Sequence, residues 1–170
     1  MKTNMDYSKA ADWIIGEKAF DSRLLGKCES IMCLGNGYFC IRSAAEERYV
    51  REKRDCFVAG TFNKFDENEV TELPNAADLM AMDLELNGQP FTLEQGEIKF
   101  YYRQLNLKTG ELTRTVDWLS PDGDEYRFVF ERIVSMKEKH VAAQRISVTP
   151  VTRDTDFLMI TGIDGSMNNS

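Results

Sequence analysis

The sequence has little of what many catalytic and nucleic-acid-binding sites require. Its 170 residues include a single histidine, His140, so catalytic schemes that use histidine pairs and metal sites with several histidines lack their donors. Lys and Arg number 21 against 28 Asp and Glu, which gives a net charge of −7. A nucleic-acid-binding surface needs a clustered basic excess, and the basic run at residues 48–54 is interrupted by Glu52. We therefore expect no nucleic-acid partner.

Long apolar runs are also missing. No window approaches the roughly 18 apolar residues of a transmembrane helix. The first ten residues contain no apolar core after Lys2, so they do not have the pattern of a secretory signal. These two absences predict a soluble, cytoplasmic protein with no membrane partner.

Cysteines are few, and their spacing is uninformative for metal binding. The four, Cys28, Cys33, Cys40 and Cys56, fit neither paired zinc knuckles nor a compact disulfide scaffold. In a cytosolic protein such cysteines are usually small buried apolar residues. We expect reduced, mostly buried thiols and no metal site.

Alternation of apolar and polar residues along most of the chain predicts strands. The clearest hairpin joins residues 79–86 to 89–93 through Asn87-Gly88, a dipeptide that favours tight turns. In the segment from residue 98, we expect Ile98, Phe100 and Tyr102 to form the apolar face. Further apolar faces follow in segments 112–118, 126–136, 141–149 and 157–163. Strands about 10 to 15 residues apart, with Gly-containing turns and almost no helical period, predict an all-β antiparallel sandwich.

The chain is long enough for one domain with its own core, given its 42% hydrophobic content, so residues 1–170 are predicted to be a single domain. Residues 57–78 contain several carboxylates, Gly60 and Pro74 but no sustained period. They predict a long loop, and long loops in compact domains are often functional.

Four sequence blocks occur in an ordered series. The first is a Gly-Asn-Gly turn at residues 35–37 between two apolar runs, a hairpin signal because both residue types tolerate positive φ. The other three are Gly60-Thr61-Phe62, Glu72-Leu73-Pro74-Asn75-Ala76-Ala77-Asp78, and Leu107-Lys108-Thr109-Gly110-Glu111-Leu112-Thr113-Arg114. By the order and spacing of these blocks, the chain from about Trp13 onward resembles the N-terminal domain of glycoside hydrolase family 65. That family holds maltose, kojibiose, trehalose and nigerose phosphorylases.

The resemblance implies a fold and a separate role for each domain of the parent enzyme. It implies a super-β-sandwich similar to the galactose mutarotase fold, incomplete here at the C-terminus. In the parent enzyme, an α-linked glucose disaccharide would be phosphorolysed, or less often hydrolysed, by an α/α barrel that this chain lacks. The disaccharide, phosphate and the barrel would be the partners, and no metal or organic cofactor is implied. The chain would be a non-catalytic domain that buttresses the barrel and contributes to a homodimer or another homo-oligomer.

Four residues are candidates for binding carbohydrate or facing the barrel, namely Arg42, Glu72, Asn75 and Trp118. Arg42, like Arg114, lies on an otherwise apolar strand face, where an arginine needs a carboxylate or carbonyl partner. A structural ion pair is the alternative to a contact with the barrel. Trp118, together with Trp13 and Tyr38, could stack on a sugar or pack in the core.

No catalytic residue is expected within the chain. Glu72 and Asp78 flank Pro74 and could be taken for the paired carboxylates of a glycosidase, but acids in proline-containing loops are commonly exposed or form Asx turns. A free-standing carbohydrate-binding module remains the alternative function, and it would need an exposed aromatic platform. A mutarotase-like enzyme would need a histidine and carboxylate pair, which the lone His140 makes improbable.

Overall fold

The computed structural model describes residues 4–50, 52–64 and 66–168, and strands dominate them. The strands are β1 (Met5–Asp6), β2 (Ile14–Glu17), β3 (Leu34–Gly35), β4 (Phe39–Ile41), β5 (Cys56–Val58), β6 (Met82–Leu86), β7 (Gln89–Pro90), β8 (Glu97–Asn106), β9 (Glu111–Leu119), β10 (Glu125–Val134), β11 (Ala142–Pro150) and β12 (Phe157–Thr161). One α-helix, α1 (Leu25–Ile31), and a 3-10 turn, Ala10–Asp12, complete the described elements. The predicted all-β class is confirmed.

A six-stranded antiparallel sheet is the frame of the domain. Its strand order is β1-β2-β8-β9-β10-β11, and β8 to β11 follow one another as a meander. The strong period-2 pattern of these strands sets their register, because a slip of one residue would turn every inward apolar side chain outward. On β9 the predicted apolar face is observed, since Leu112, Arg114, Val116 and Trp118 are all buried.

A second sheet covers one half of this frame. It has the order β12-β6-β7, and its hairpin turns at Asn87 and Gly88, with φ of 52° and 76°, as the sequence predicted. Apolar side chains from the two sheets meet in a first core cluster, which includes Leu84, Leu86, Phe91, Val116, Trp118, Tyr126, Phe128 and Phe130. The facing sheets with this cluster between them form the sandwich.

A third sheet, of order β3-β4-β5, lies with α1 over the other half of the frame. Its second core cluster includes Cys28, Met32, Leu34, Ile41, Cys56, Met80, Leu105, Leu112 and Val134. The predicted hairpin at residues 35–37 is confirmed, but only Gly37 has a positive φ, 83°. The apolar run before the turn was expected to be extended, and in fact its first part belongs to α1, whose buried Cys28 anchors the helix to the sheet.

Asn36 holds this hairpin in place through its side chain. Its Oδ1 accepts hydrogen bonds from the backbone N–H groups of Tyr38 (2.9 Å) and Phe39 (2.8 Å). Its Nδ2 donates to the carbonyls of Ser135 (2.7 Å) and Lys139 (3.0 Å) beyond β10. The Gly-Asn-Gly block therefore joins the third sheet to the six-stranded frame.

The expected face of β8 was wrong. A β-bulge lies between Ile98 and Phe100, and beyond it Tyr101, Arg103 and Leu105 point inward while Phe100 is 45% exposed. A bulge inserts one extra residue, which inverts the alternation from that point on.

Candidate functional site

Three arginines interrupt the apolar inward faces of neighbouring strands; two of them are directly opposite each other, and the third lies one inward position further along. Arg103 lies on β8, Arg114 on β9 and Arg132 on β10, and they are only 2%, 3% and 1% exposed. Each is flanked, two residues away, by one member of each core cluster; the flanking pairs are Tyr101 and Leu105, Leu112 and Val116, and Phe130 and Val134. We call these three residues the arginine band, and it marks the seam between the two apolar clusters.

Two of the carboxylates that meet this band, Glu46 and Glu47, come from residues 43–49, which we call the central segment between β4 and β5. Arg114 donates from Nη1 to Glu47 Oε1 at 2.6 Å and from Nη2 to Glu46 Oε2 at 2.7 Å. Glu46 also accepts from Arg132 Nη2 at 2.7 Å, so it bridges two strands of the sheet. Tyr49 donates its hydroxyl to Glu47 at 2.6 Å. The structural ion pair considered for Arg114 is thus observed.

Arg103 is held by a different acid. Its Nε donates to Glu17 Oε2 at 2.8 Å, and its Nη1 donates to the carbonyl of Ser43 at 2.6 Å. Tyr101 donates its hydroxyl to the same Glu17 oxygen at 2.8 Å. Burial raises the pKa of Tyr101, so it stays a hydrogen-bond donor at neutral pH.

Arg54 fixes the backbone of the central segment. Its Nη2 donates to the carbonyls of Ala45 (2.6 Å), Glu46 (3.2 Å) and Glu47 (2.8 Å). It also pairs with Glu52, and with Asp78 at 3.4 Å. Charge-assisted bonds of this kind are stronger than neutral ones, so Arg54 holds Glu46 and Glu47 toward the band.

The electrostatics of the buried acids differ with their partners. Burial alone would raise the pKa of Glu46, but Arg114 and Arg132 outweigh that effect and lower it below its ordinary value. For Glu29, burial dominates and raises the pKa, although Lys53 N–H donates to Oε2 and Arg42 lies 3.7 Å away. A carboxylate that faces two guanidinium groups stays ionised, whereas one with weaker partners gains a proton more readily.

This arrangement is suited to holding structure and offers no room for a substrate. The cavity beside the band, lined by Ala44, Glu46, Arg103, Arg114 and others, has a volume of about 10 Å³, which is the space of one water. Glycoside cleavage needs two carboxyl groups on either side of a bound sugar. The carboxylate oxygens of Glu46 and Glu47 instead accept hydrogen bonds from arginines.

Arg42 and Asn75, two of the candidate residues, meet at one aspartate. Arg42 Nε lies 3.6 Å from Asp55 Oδ2, and Asn75 Nδ2 donates to Asp55 Oδ1 at 3.2 Å. Asn75 also accepts from the backbone N–H of Cys56 at 2.8 Å, and Arg42 donates to the carbonyl of Gly26 at 2.7 Å. Asn75 therefore ties the long loop to β5, whereas Arg42 ties the residue before β5 to α1.

Glu72 lies on the surface, where the long loop folds back on itself. Its backbone forms an antiparallel bridge with Asn63. A surface pocket of about 270 Å³ opens beside it, lined by Asn63, Lys64, Glu69, Glu72, Pro74, Asn75, Met167 and Asn168. We call this the loop pocket, and it brings Glu72 and Asn75 together as exposed or half-buried polar groups.

Trp118 lies apart from the other candidates and inside the first core cluster. It is 1% exposed, its ring meets Phe91 edge-on at 5.2 Å, and its Nε1 donates to the carbonyl of Gln95 at 2.8 Å. Core packing is therefore what the structure shows for this ring, and no face is open to a sugar. Trp13, in contrast, is 54% exposed.

Sequence reasoning missed most of the arginine band. Arg103 was assigned to the polar face because the bulge was not foreseen, and Arg132, Glu46 and Glu47 were not singled out. The available signal was an arginine at an inward position of the alternation in two neighbouring strands, Arg114 on β9 and Arg132 on β10, since buried arginines require acids.

Within residues 4–50, 52–64 and 66–168, no three His, Cys, Asp or Glu side chains form a group that could hold a metal ion. In the same part of the chain, no helix has the length and apolar character needed to cross a membrane.

Comparison with known proteins identifies the family. The sequence profile of the N-terminal domain of glycosyl hydrolase family 65 matches residues 15–170. The chain belongs to this family. Among curated relatives, the family 65 domain is 43% identical over 167 residues to kojibiose phosphorylase of Halothermothrix orenii and 32% identical over 182 residues to α,α-trehalose phosphorylase of Thermoanaerobacter brockii.

These matches cover almost all of the chain but little of each relative. They span 98% and 99% of the family 65 domain, yet 21% and 24% of the two enzymes. A solved structure from the human microbiome, assigned as a kojibiose phosphorylase, superimposes with a TM-score of 0.82 at 20% identity, over 93% of this chain and 22% of that one. The chain therefore has the length of about a fifth of the relatives it matches, and it corresponds to their N-terminal domain.

Proposed function

We propose that this family 65 domain is the non-catalytic N-terminal part of a disaccharide phosphorylase acting on an α-linked glucose disaccharide and phosphate. The observation that carries the proposal is the pairing of Glu46 and Glu47 with buried arginines, which leaves neither acid free for catalysis. The names of the relatives, kojibiose, trehalose and nigerose phosphorylases, support the parent activity. Kojibiose is the first substrate to test, because the 43% identical relative is a kojibiose phosphorylase.

The proposed role of the domain is to support a catalytic barrel. Loop residues Glu72 and Asn75 are proposed to face that barrel, because they line the surface pocket of about 270 Å³. Arg42 is included because it shares Asp55 with Asn75. Trp118 is left out of this surface because it is buried. A free-standing carbohydrate-binding module would need an aromatic platform, for which Trp118 is not available.

A homo-oligomer and a cytoplasmic location belong to the same proposal. β12 pairs with β6 along one edge only, its five residues are all exposed, and it carries no charge. An uncharged free edge favours pairing with another strand, and we propose a second copy of the chain as that partner. Light scattering across a dilution series tests this, and a monomer mass throughout would contradict it.

A chimaeric enzyme tests the main proposal. The family 65 domain replaces the matching N-terminal fifth of the Halothermothrix orenii kojibiose phosphorylase, and both the chimaera and the isolated domain are incubated with kojibiose and phosphate. We expect glucose 1-phosphate from the chimaera and none from the isolated domain. Release by the isolated domain, or a folded chimaera without activity, would contradict the proposal.

A further inference from the structure

Two of the four cysteines lie on the surface of one hairpin. Cys28 and Cys56 are buried, as the sequence predicted, but Cys33 and Cys40 are exposed, and all four are free thiols. The two exposed thiols lie directly before β3 and within β4, and the candidate site uses neither.

The register of the hairpin brings them together. Gly35 is directly opposite Cys40, and Leu34 is opposite Ile41. Cys33 has the same parity as Gly35, so it is the diagonal neighbour of Cys40 on the same face of the sheet. Gly35 has no side chain to separate the two thiols, and a Cβ placed there would lie 3.8 Å from the Cα of Cys40.

The electrostatics agree with this proximity. Burial raises the pKa of the Cys40 thiol, and the neighbouring Cys33 thiol raises it further. Because the thiolate is the nucleophile, a Cys40 that stays protonated is the poorer attacking group. We therefore assign Cys40 to the second step of the reaction and the first attack to Cys33.

We propose that Cys33 and Cys40 are an oxidative modification site that closes to a reversible disulfide in the presence of a hydroperoxide. The sulfur of Cys33 attacks one peroxide oxygen, the O–O bond breaks, and a sulfenic acid and one water (or alcohol) result. The sulfur of Cys40 then displaces the hydroxyl, which leaves as a second water when it takes the proton of Cys40. Two thiols lose two electrons, and the hydroperoxide gains them.

The local backbone allows the small closure that the bond needs. Diagonal neighbours have Cα atoms about 7–8 Å apart, while a disulfide requires less than about 7 Å. Cys33 lies in the short connection between α1 and β3, where its N–H makes a long bond of 3.4 Å to the carbonyl of Ser30. Moving Cys33 toward Cys40 therefore disturbs this long backbone bond.

Peptide mapping after mild hydrogen peroxide treatment of the 170-residue chain tests the proposal. Free thiols are alkylated under denaturing conditions without reductant. Trypsin leaves Cys28, Cys33 and Cys40 in one peptide, because no Lys or Arg lies between Lys27 and Arg42. Cleavage after Glu29 and after Phe39 separates the three. We expect a mass loss of about 2 Da, a link between the Cys33 and Cys40 peptides, alkylated Cys28 and Cys56, and full reversal by dithiothreitol.

Variants provide the controls. Cys33→Ser and Cys40→Ser are each expected to abolish the intramolecular link while circular dichroism stays unchanged. The proposal is overturned if both thiols remain free at a peroxide dose that oxidises dithiothreitol, if the link joins another pair of cysteines, or if Cys33 and Cys40 oxidise to separate sulfinic acids.

Discussion

The arginine band and the loop pocket both contain polar and charged side chains, but those of the band are buried and those of the loop pocket lie at the surface. Arg114 and Glu47 are almost fully buried and bonded to each other, whereas Glu72 is exposed beside a pocket of about 270 Å³. A charge taken out of water must be paired, so the band is committed to the fold. Glu72 in the loop pocket stays at the surface, in contact with water. The difference teaches that burial, more than residue type, separates the acids that hold the fold together from the acids that stay at the surface.

The largest effect is expected from breaking the band. Arg114→Met leaves Glu47 buried without its guanidinium partner and leaves Glu46 with Arg132 alone, which we expect to lower the free energy of unfolding by about 3–5 kcal/mol. Urea denaturation monitored by tryptophan fluorescence measures it. Arg145→Met, which removes an exposed arginine paired with Glu131, is the matched control and should cause a much smaller loss. Equal losses of unfolding free energy in the two variants would contradict the claim that the buried pairs of the band matter more for stability than an exposed pair.

A second variant tests whether an uncharged buried polar side chain contributes to the unfolding free energy as the arginine band does. Asn36→Ala removes four hydrogen bonds, two within the hairpin and two between the hairpin and the segment after β10. We therefore expect a loss of about 2–3 kcal/mol in unfolding free energy. Asn36→Asp keeps the acceptor but not the two donors, and should fall between Ala and the unaltered chain. A loss below about 0.5 kcal/mol for Asn36→Ala would show that these bonds do not hold the sheets together.

Acid titration separates two buried glutamates of opposite behaviour. The folded-state pKa of Glu46 is lowered from 4.5, so its stabilising contribution is present above pH 4.5 and is lost as the pH falls through the lowered pKa. The folded-state pKa of Glu29 is raised from 4.5, so its contribution is present below pH 4.5 and is lost as the pH rises through the raised pKa.

Two glutamine variants test these signs. Glu46→Gln should destabilise the domain at pH 7 and flatten the loss of melting temperature in acid. Glu29→Gln keeps an amide oxygen that can accept from Lys53 N–H. The change in stability that this substitution causes should be more favourable at pH 7 than at acid pH. If the melting temperatures of the two variants changed with pH in the same way, the opposite pKa directions assigned to Glu46 and Glu29 would be contradicted.

The smallest effect on stability is expected in the loop pocket. Glu72→Gln should change the unfolding free energy by at most about 0.5 kcal/mol, because the side chain is exposed. In the chimaeric phosphorylase, the same variant should alter the KM for the disaccharide if this loop faces the barrel. An unchanged KM and kcat would remove Glu72 from the proposed contact surface.

Much of the fold was predictable because it follows period-2 patterns. The β9 face, the Asn87-Gly88 turn and the sandwich class all rest on local alternation and turn chemistry. The face of β8 was not predictable, since a single bulged residue near Ile98 inverts it. The role of Asn36 was also hidden, because its partners at Ser135 and Lys139 lie about a hundred residues away in sequence.

The candidate site was harder to predict because pairing between distant segments decides it. Arg114 could be recognised as an arginine that needed a partner, but nothing local indicates Glu46 and Glu47 as that partner. Trp118 could have been a sugar platform or a core residue, and only the packing of Phe91 against it decides in favour of the core.

A double-mutant cycle between Arg114 and Glu47 tests the central claim most directly, namely that the band is a mutually paired, buried structural unit. The free energy of unfolding is measured for Arg114→Met, Glu47→Gln, the double variant and the unaltered chain. We predict a coupling energy of about 2–3 kcal/mol, the upper end of the range for contacting residues. A coupling below about 0.5 kcal/mol, as found for distant independent sites, would contradict the account.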